Sequence, residues 1–227
     1  MIQLQNKFDI KKIEGGLVTF VNPFSWLEVS QALSLAQQSQ FHIFADGIAV
    51  VLMYRLFKRQ AISRYAFDFT SVAPIVFAYA SQEQKTVFLI GSKPGIASQA
   101  AEIFKNRYPQ LQIMGVASGY FASPEEKQTI LQEASSADII ITAMGAPVQE
   151  QVLLEIRHLG WKGTGFTCGG FLDQTVKTGG DYFPKWIDKM HLRWLYRLFD
   201  EPQRLWKRYL LLYPKFFIFF LKALTKK

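Results

Sequence analysis

Short runs crowded with apolar and β-branched side chains, bounded by Gly, Asn, Asp or Pro, recur six times along the chain: 17–21, 41–45, 86–90, 112–116, 138–143 and 164–168. Runs of that length with those punctuating residues predict strands. Between them apolar positions return at three- and four-residue spacing, which predicts helices over 26–38, 50–57, 72–81, 96–108, 124–134 and 149–159. One start is marked locally, with Ser123 placed to cap, Pro124 at the first helical position and Glu125 and Glu126 in the first turn. Regular alternation of strand and helix predicts an α/β fold, a mostly parallel Rossmann-like sheet with helices on both faces. No repeat, low-complexity block or linker interrupts the first 180 residues, so a single domain is expected over residues 1–184, ending near Phe183-Pro184.

Beyond that point the pattern changes. Residues 185–227 hold 11 basic and 3 acidic side chains, whereas residues 1–184 carry 15 of each, so the whole net charge of +8 sits in the tail. Aromatic residues are interleaved with the cations: Trp186, Trp194, Tyr196, Trp206, Tyr209 and a phenylalanine cluster. Proline at 202 and 214 predicts two or three short helices, a basic amphipathic appendage. The uncharged runs 209–214 and 216–221 are far shorter than the roughly 20 apolar residues that cross a bilayer. The tail is therefore expected to lie on an anionic membrane surface, which its apolar content favours over nucleic acid. An apolar face left uncovered on the isolated domain would also allow a homo-oligomer.

Composition narrows the setting. A hydrophobic fraction of 49% in 227 residues supports a real core and excludes a disordered or collagen-like chain. The single cysteine, Cys168, allows no intramolecular disulfide and no cysteine-based zinc site. No export signal marks the first residues, so a cytoplasmic protein bound peripherally at the inner face of the plasma membrane is expected.

In an open parallel sheet ligands bind beyond the C-terminal ends of the strands. Five clusters follow the predicted strands: Val21-Asn22-Pro23, Ala45-Asp46-Gly47, Ile90-Gly91-Ser92-Lys93-Pro94-Gly95, Met144-Gly145-Ala146-Pro147-Val148-Gln149-Glu150, and Cys168-Gly169-Gly170. Glycines there let a backbone approach a ligand, and the next helix offers free N–H groups to a phosphate. They are equally the ordinary residues of tight strand-to-helix turns. Asp46 is the carboxylate placed to act as a base, or else to cap the helix that begins at Gly47. Arg64 could clamp a phosphate, while Lys58 and Arg59 read as solvated surface. The dinucleotide fingerprint and the P-loop are both missing, the three histidines show no ligand spacing, and no Asp-x-Asp occurs, so neither cofactor nor metal is expected. A nucleotide-binding oxidoreductase and a non-enzymatic membrane- or nucleic-acid-binding module stay compatible with these residues taken alone.

The order of several motifs resembles the WecG/TagA/CpsF glycosyltransferase family from about Leu17 to about Leu212. They are Phe44-Ala45-Asp46-Gly47, Ile62-Ser63-Arg64 with Phe67-Asp68, Leu89-Ile90-Gly91-Ser92-Lys93-Pro94, Gly119-Tyr120-Phe121, Met144-Gly145-Ala146-Pro147 with Gln149-Glu150, Gly169-Gly170 with Asp173, and Arg193 to Arg197 with Glu201-Pro202. The resemblance implies metal-independent, inverting transfer of a hexosyl or N-acetylhexosaminyl group from a UDP-sugar to a saccharide on a polyprenyl diphosphate. Teichoic acid, enterobacterial common antigen or exopolysaccharide would be the product. It implies Asp46 as base, Gln149 as a site glutamine, Asn22 and Arg64 at the substrate, and Arg197 and Arg204 near the diphosphate. Departures are Val148 in place of a lysine, Lys207 in place of a third appendage arginine, and Phe20-Val21-Asn22-Pro23 in place of a small polar run.

Overall fold

The computed structural model describes residues 2–180, 187, 193–200 and 202–225. All six predicted strands form: β1 (Leu17–Val21), β2 (Phe41–Ala45), β3 (Thr86–Gly91), β4 (Gln112–Ala117), β5 (Ile139–Ala143) and β6 (Thr164–Thr167). They make one sheet in the order β2-β1-β6-β5-β3-β4, with every neighbouring pair parallel. Every residue of β1, β5 and β6 is buried, as expected of strands covered on both faces, whereas edge strand β4 alternates exposed and half-buried positions.

Period-two alternation divides the core in two. Leu17 and Val21 of β1, Phe88 and Ile90 of β3 and Ile140 of β5 face one cluster; Val18, Phe20, Val87, Leu89, Ile139 and Ile141 face the other. The first cluster is closed by α1 (Pro23–Ala32), α3 (Ile48–Met53), α6 (Pro124–Ala134) and α7 (Val148–His158), with short α2 (Leu35–Gln38) beside α1. The second is closed by α4 (Val72–Gln82), α5 (Ile96–Arg107) and α8 (Phe171–Thr178).

Two predicted helices are subdivided. The one expected over 26–38 starts earlier, at Pro23, because Asn22 caps it through hydrogen bonds from the Phe24 and Ser25 N–H groups at 3.0 and 3.1 Å. It stops at Leu33, whose backbone is extended, and Ser34 begins α2 with a capping box closed by Gln37. The helix expected over 50–57 runs as α3 and then widens into a π-helical turn, Tyr54–Lys58, that ends at left-handed Arg59. Helix α8 was not predicted, although Phe171, Leu172 and Thr175 are spaced as one buried helical face and Gly179 stops it in the left-handed region.

The tail forms α9 (Arg193–Asp200), α10 (Pro202–Lys207), a π-helical turn (Arg208–Leu212) and α11 (Tyr213–Thr225). Proline stands in the first turn of α10, where its missing N–H costs nothing, whereas Pro214 follows closely on the π-helical turn and the helical run continues through it from 202 to 225 without the break expected there. Helix α11 is docked on the body: the rings of Phe216 and Phe220 lie 5.7 and 6.0 Å from that of Trp26, and all three side chains are fully buried. Part of the phenylalanine cluster is thus core. The expected domain boundary at Phe183-Pro184 lies outside the described residues. No helix among the described residues is long and apolar enough to cross a membrane.

Candidate active site

A cavity of about 490 Å³ opens at the C-terminal ends of β1, β2 and β6, roofed by the tail. One side is polar, with Asn22, Asp46, Arg64, Gln149, Gly169, Gly170 and Arg197. The other is aromatic and apolar, with Ile48, Trp194, Tyr209, Tyr213, Pro214 and Phe217.

Strand β2 delivers Asp46 to the rim, where its N–H donates to the Val21 carbonyl at 2.9 Å and extends the strand pairing by one step. Arg64 arrives by a separate route. The segment after the π-helical turn returns to β2 through a parallel bridge between Ala45 and Arg64, and the Tyr65 N–H donates to the Ala45 carbonyl at 2.9 Å. The guanidinium then stands 3.9 Å from the Asp46 carboxylate, both partly exposed to the cavity. Asn22 also lines the cavity, but its carboxamide oxygen is engaged in capping α1, so the amide N–H₂ is what it can present to a ligand.

Beneath the floor runs a buried polar chain. The Thr167 hydroxyl donates to that of Thr19 at 2.9 Å, and the Thr19 hydroxyl donates to Glu150 Oε1 at 2.7 Å. Gln149 Nε2 donates to the same oxygen at 3.1 Å, while Gln149 Oε1 accepts the Gly169 N–H at 3.0 Å. Both ends of the Gln149 amide are therefore held, which fixes its orientation on the cavity floor. Glu150 is fully buried, and burial pushes its carboxyl above the usual range against the opposing hydrogen bonds from Thr19 and Gln149.

Gly169 and Gly170 lead into α8, whose N-terminus is aimed at the cavity. Arg197 of α9 lies over this turn: a Cβ placed on Gly170 would be 4.0 Å from its Nη2. Its buried Nε has no hydrogen-bond partner among the described residues. An unpaired guanidinium nitrogen beside a helix N-terminus suits an anion. Cys168 also lines the cavity, and desolvation, with the nearby Asp173 carboxylate, pushes its thiol up, which disfavours the thiolate.

Gly91 and Gly145 stand apart from the cavity lining. The crossover from β3 runs outward to β4 and that from β5 runs inward to β6, so the winding reverses between β3 and β5, and these two glycines flank that point. At φ 147° a Cβ on Gly91 would meet the Ala143 carbonyl oxygen at 2.5 Å, so only glycine lets the strand ends approach. Ser92 is tied down by donating to Asp173 at 2.6 Å. Lys207 is exposed, with its ammonium 5.6 Å above the Trp206 ring, and does not line the cavity. Arg204 belongs to α10, and its side chain lies outside the described residues. Thr19, Thr167 and Glu150, which join strand β1, strand β6 and helix α7 beneath the cavity, are not identifiable as partners from their spacing in the chain. Thr19 alone carried a signal along the chain, a threonine inside the otherwise apolar run Leu17–Val21. Among the described residues no group of three or more His, Cys, Asp or Glu side chains converges to hold a metal ion.

A wound parallel sheet whose strand ends carry a carboxylate–guanidinium pair opposite an arginine laid over a helix N-terminus is an α/β protein with a ligand site at its strand ends. The chain belongs to the WecG/TagA/CpsF family of glycosyl transferases, whose family model matches residues 4–227. It is 35% identical over 207 residues, 91% of this chain and 86% of the relative, to a UDP-Gal:alpha-D-GlcNAc-diphosphoundecaprenol beta-1,4-galactosyltransferase of Shigella boydii. It is 31% identical over 220 residues, 94% of this chain and 82% of the relative, to an N-acetylglucosaminyldiphosphoundecaprenol N-acetyl-beta-D-mannosaminyltransferase of Bacillus subtilis (strain 168). The protein is a glycosyltransferase.

Proposed function

We propose that this enzyme transfers a hexosyl or N-acetylhexosaminyl group from a UDP-sugar to a saccharide carried on a polyprenyl diphosphate, with inversion at the anomeric carbon and without a metal. The observation that carries the reading is that one cavity sets Asp46 and Arg64 against Arg197 and the Gly169-Gly170 turn, under an aromatic roof. The names of both relatives describe diphosphoundecaprenol-linked acceptors and β-linked products. A β product from an α-configured nucleotide sugar requires inversion, and hence one displacement with one base.

In that displacement Asp46 takes the proton of an acceptor hydroxyl as its oxygen bonds to the anomeric carbon. The bond from that carbon to the diphosphate oxygen breaks, and the electron pair leaves with UDP. Arg197 and the N-terminus of α8 stabilise the negative charge that develops there, the task a divalent ion performs in other designs. Gln149, held at both ends of its amide, presents a fixed dipole to the sugar. Gly91 and Gly145, flanking the point where the winding reverses, receive the nucleotide half, and Asn22 and Arg64 lie on the sugar side. Arg204 joins the diphosphate contacts of the tail, whereas Lys207, turned onto the Trp206 ring outside the cavity, does not.

The test is transfer from a panel of UDP-sugars to a monosaccharide on polyprenyl diphosphate, with and without a chelator. Chelator-insensitive transfer from at least one donor is expected. Absence of transfer from every UDP-sugar overturns the assignment.

A further inference from the structure

We infer that the membrane-contacting surface is composite, and that the arm formed by α3 and its π-helical turn inserts into the headgroup region of an anionic bilayer alongside the outer face of α11. This rests on the reading of the acceptor as a membrane lipid.

The arm has two faces. Val50, Val51, Met53 and Tyr54 are buried against the body, whereas Leu52, Leu56 and Phe57 are 46%, 70% and 47% exposed. Between and after them stand Arg55, Lys58 and Arg59, all exposed, and no acidic residue occurs from Gly47 to Phe67. Single exposed leucines are commonplace on protein surfaces. Three exposed apolar side chains interleaved with three exposed cations within eight residues are a different pattern, that of a segment lying in a lipid–water interface.

The neighbouring surface continues it. Phe57 contacts Phe220 of α11 with ring centroids 6.4 Å apart, and Tyr54 lies 5.7 Å from the same ring. While Phe216 and Phe220 point inward, Ile218, Phe219 and Leu221 are exposed on α11, together with Lys215 and Lys222. Cations on both elements make an anionic lipid surface the occupant that fits by charge.

Position supplies the purpose. Helix α3 begins at the cavity, with Gly47 and Ile48 in its lining directly after Asp46, and α11 begins there with Tyr213 and Pro214. At 1.5 Å per residue Leu56 lies about 12 Å along the arm from Ile48. A bilayer gripped at the arm tip holds the cavity mouth near headgroup depth, where a lipid-borne diphosphate resides.

The experiment uses the full chain, its Leu56→Glu variant, and an Arg55→Gln, Lys58→Gln, Arg59→Gln triple variant of exposed side chains only. Each is floated with vesicles of phosphatidylcholine alone and of phosphatidylcholine with phosphatidylglycerol, then assayed on a short-chain, water-soluble acceptor and on a vesicle-embedded one. Expected is preference of the wild-type chain for phosphatidylglycerol vesicles, with partitioning of the triple variant reduced on the order of a hundred-fold and that of Leu56→Glu reduced on both kinds of vesicle. Transfer to the soluble acceptor should be retained, and transfer to the embedded one should fall. Wild-type partitioning by the variants overturns the proposal, as does absence of vesicle binding by the wild-type chain or a change confined to oligomeric state. Failure of transfer to both acceptors by the wild-type chain would instead count against the glycosyl-transfer reading, while flotation still reports on the arm.

Discussion

Gln149 and Glu150 are adjacent in sequence yet perform different work: Gln149 faces the cavity, and its Nε2 donates at 3.1 Å to the Oε1 of Glu150, which is fully buried. The same oxygen accepts from Thr19, 131 residues away in the chain. Glu150→Ala would leave the Thr19 hydroxyl and the Gln149 amide without that acceptor, at a cost of about 1–3 kcal/mol for each buried group left unpaired. Glu150→Gln keeps an acceptor oxygen and should cost less. Urea unfolding of both variants checks the order.

Acid dependence follows from the same carboxyl. Burial raises its folded-state pKa above the ordinary glutamate value, so the native state holds the proton more tightly than the unfolded chain. Its contribution to stability is therefore fully present below the unfolded pKa and is lost as pH rises through the folded one. Wild type should lose stability relative to Glu150→Gln as pH rises from about 4.5. A pH-independent difference between the two unfolding curves would remove Glu150 as the titrating group.

For Asp46, removal of the base with conservation of shape is the informative change. Asp46→Asn should lower kcat about 10²- to 10⁴-fold. Its ion pair with Arg64 spans 3.9 Å and is partly solvated, so stability should change by no more than about 1 kcal/mol. Turnover near wild type in a folded variant would exclude Asp46 as the base.

Arg197 should act on the leaving group. Arg197→Gln is expected to weaken UDP binding and to reduce kcat by about 10²-fold, the scale of one lost charge-stabilising donor. Calorimetric titration of UDP against wild type and variant, beside the kinetics, checks both effects; unchanged UDP affinity and rate would remove Arg197 from the site.

The tail should unfold with the body. Phe216 is fully buried against Trp26, so Phe216→Ala should cost about 3–5 kcal/mol, the scale of a lost core aromatic. Truncation after residue 184 uncovers Trp26, whose exposure a red-shifted tryptophan emission would report. A Phe216→Ala variant as stable as wild type would mean that α11 is not part of the cooperative core.

Most of the local structure was legible along the chain, because strand and helix periods are properties of neighbouring residues. All six strands lie within two residues of their predicted bounds, and Ser123-Pro124 marked the start of α6. Helix α8 was missed because eight residues after two glycines give periodicity little to work with. Asp46 and the glycine turns could be nominated because a parallel sheet always presents its strand ends. Their partners could not. That Arg64 bridges back to β2, that Thr19 reaches Glu150, and that Arg197 lies over Gly170 depend on strand order and on where the tail docks. Burial of Phe216 and Phe220 against Trp26 is of the same kind, since an aromatic cluster beside lysines reads alike whether it enters a core or a bilayer. Side-chain spacing carries the period of an element, whereas contacts across many residues are selected by the packing of whole elements against one another.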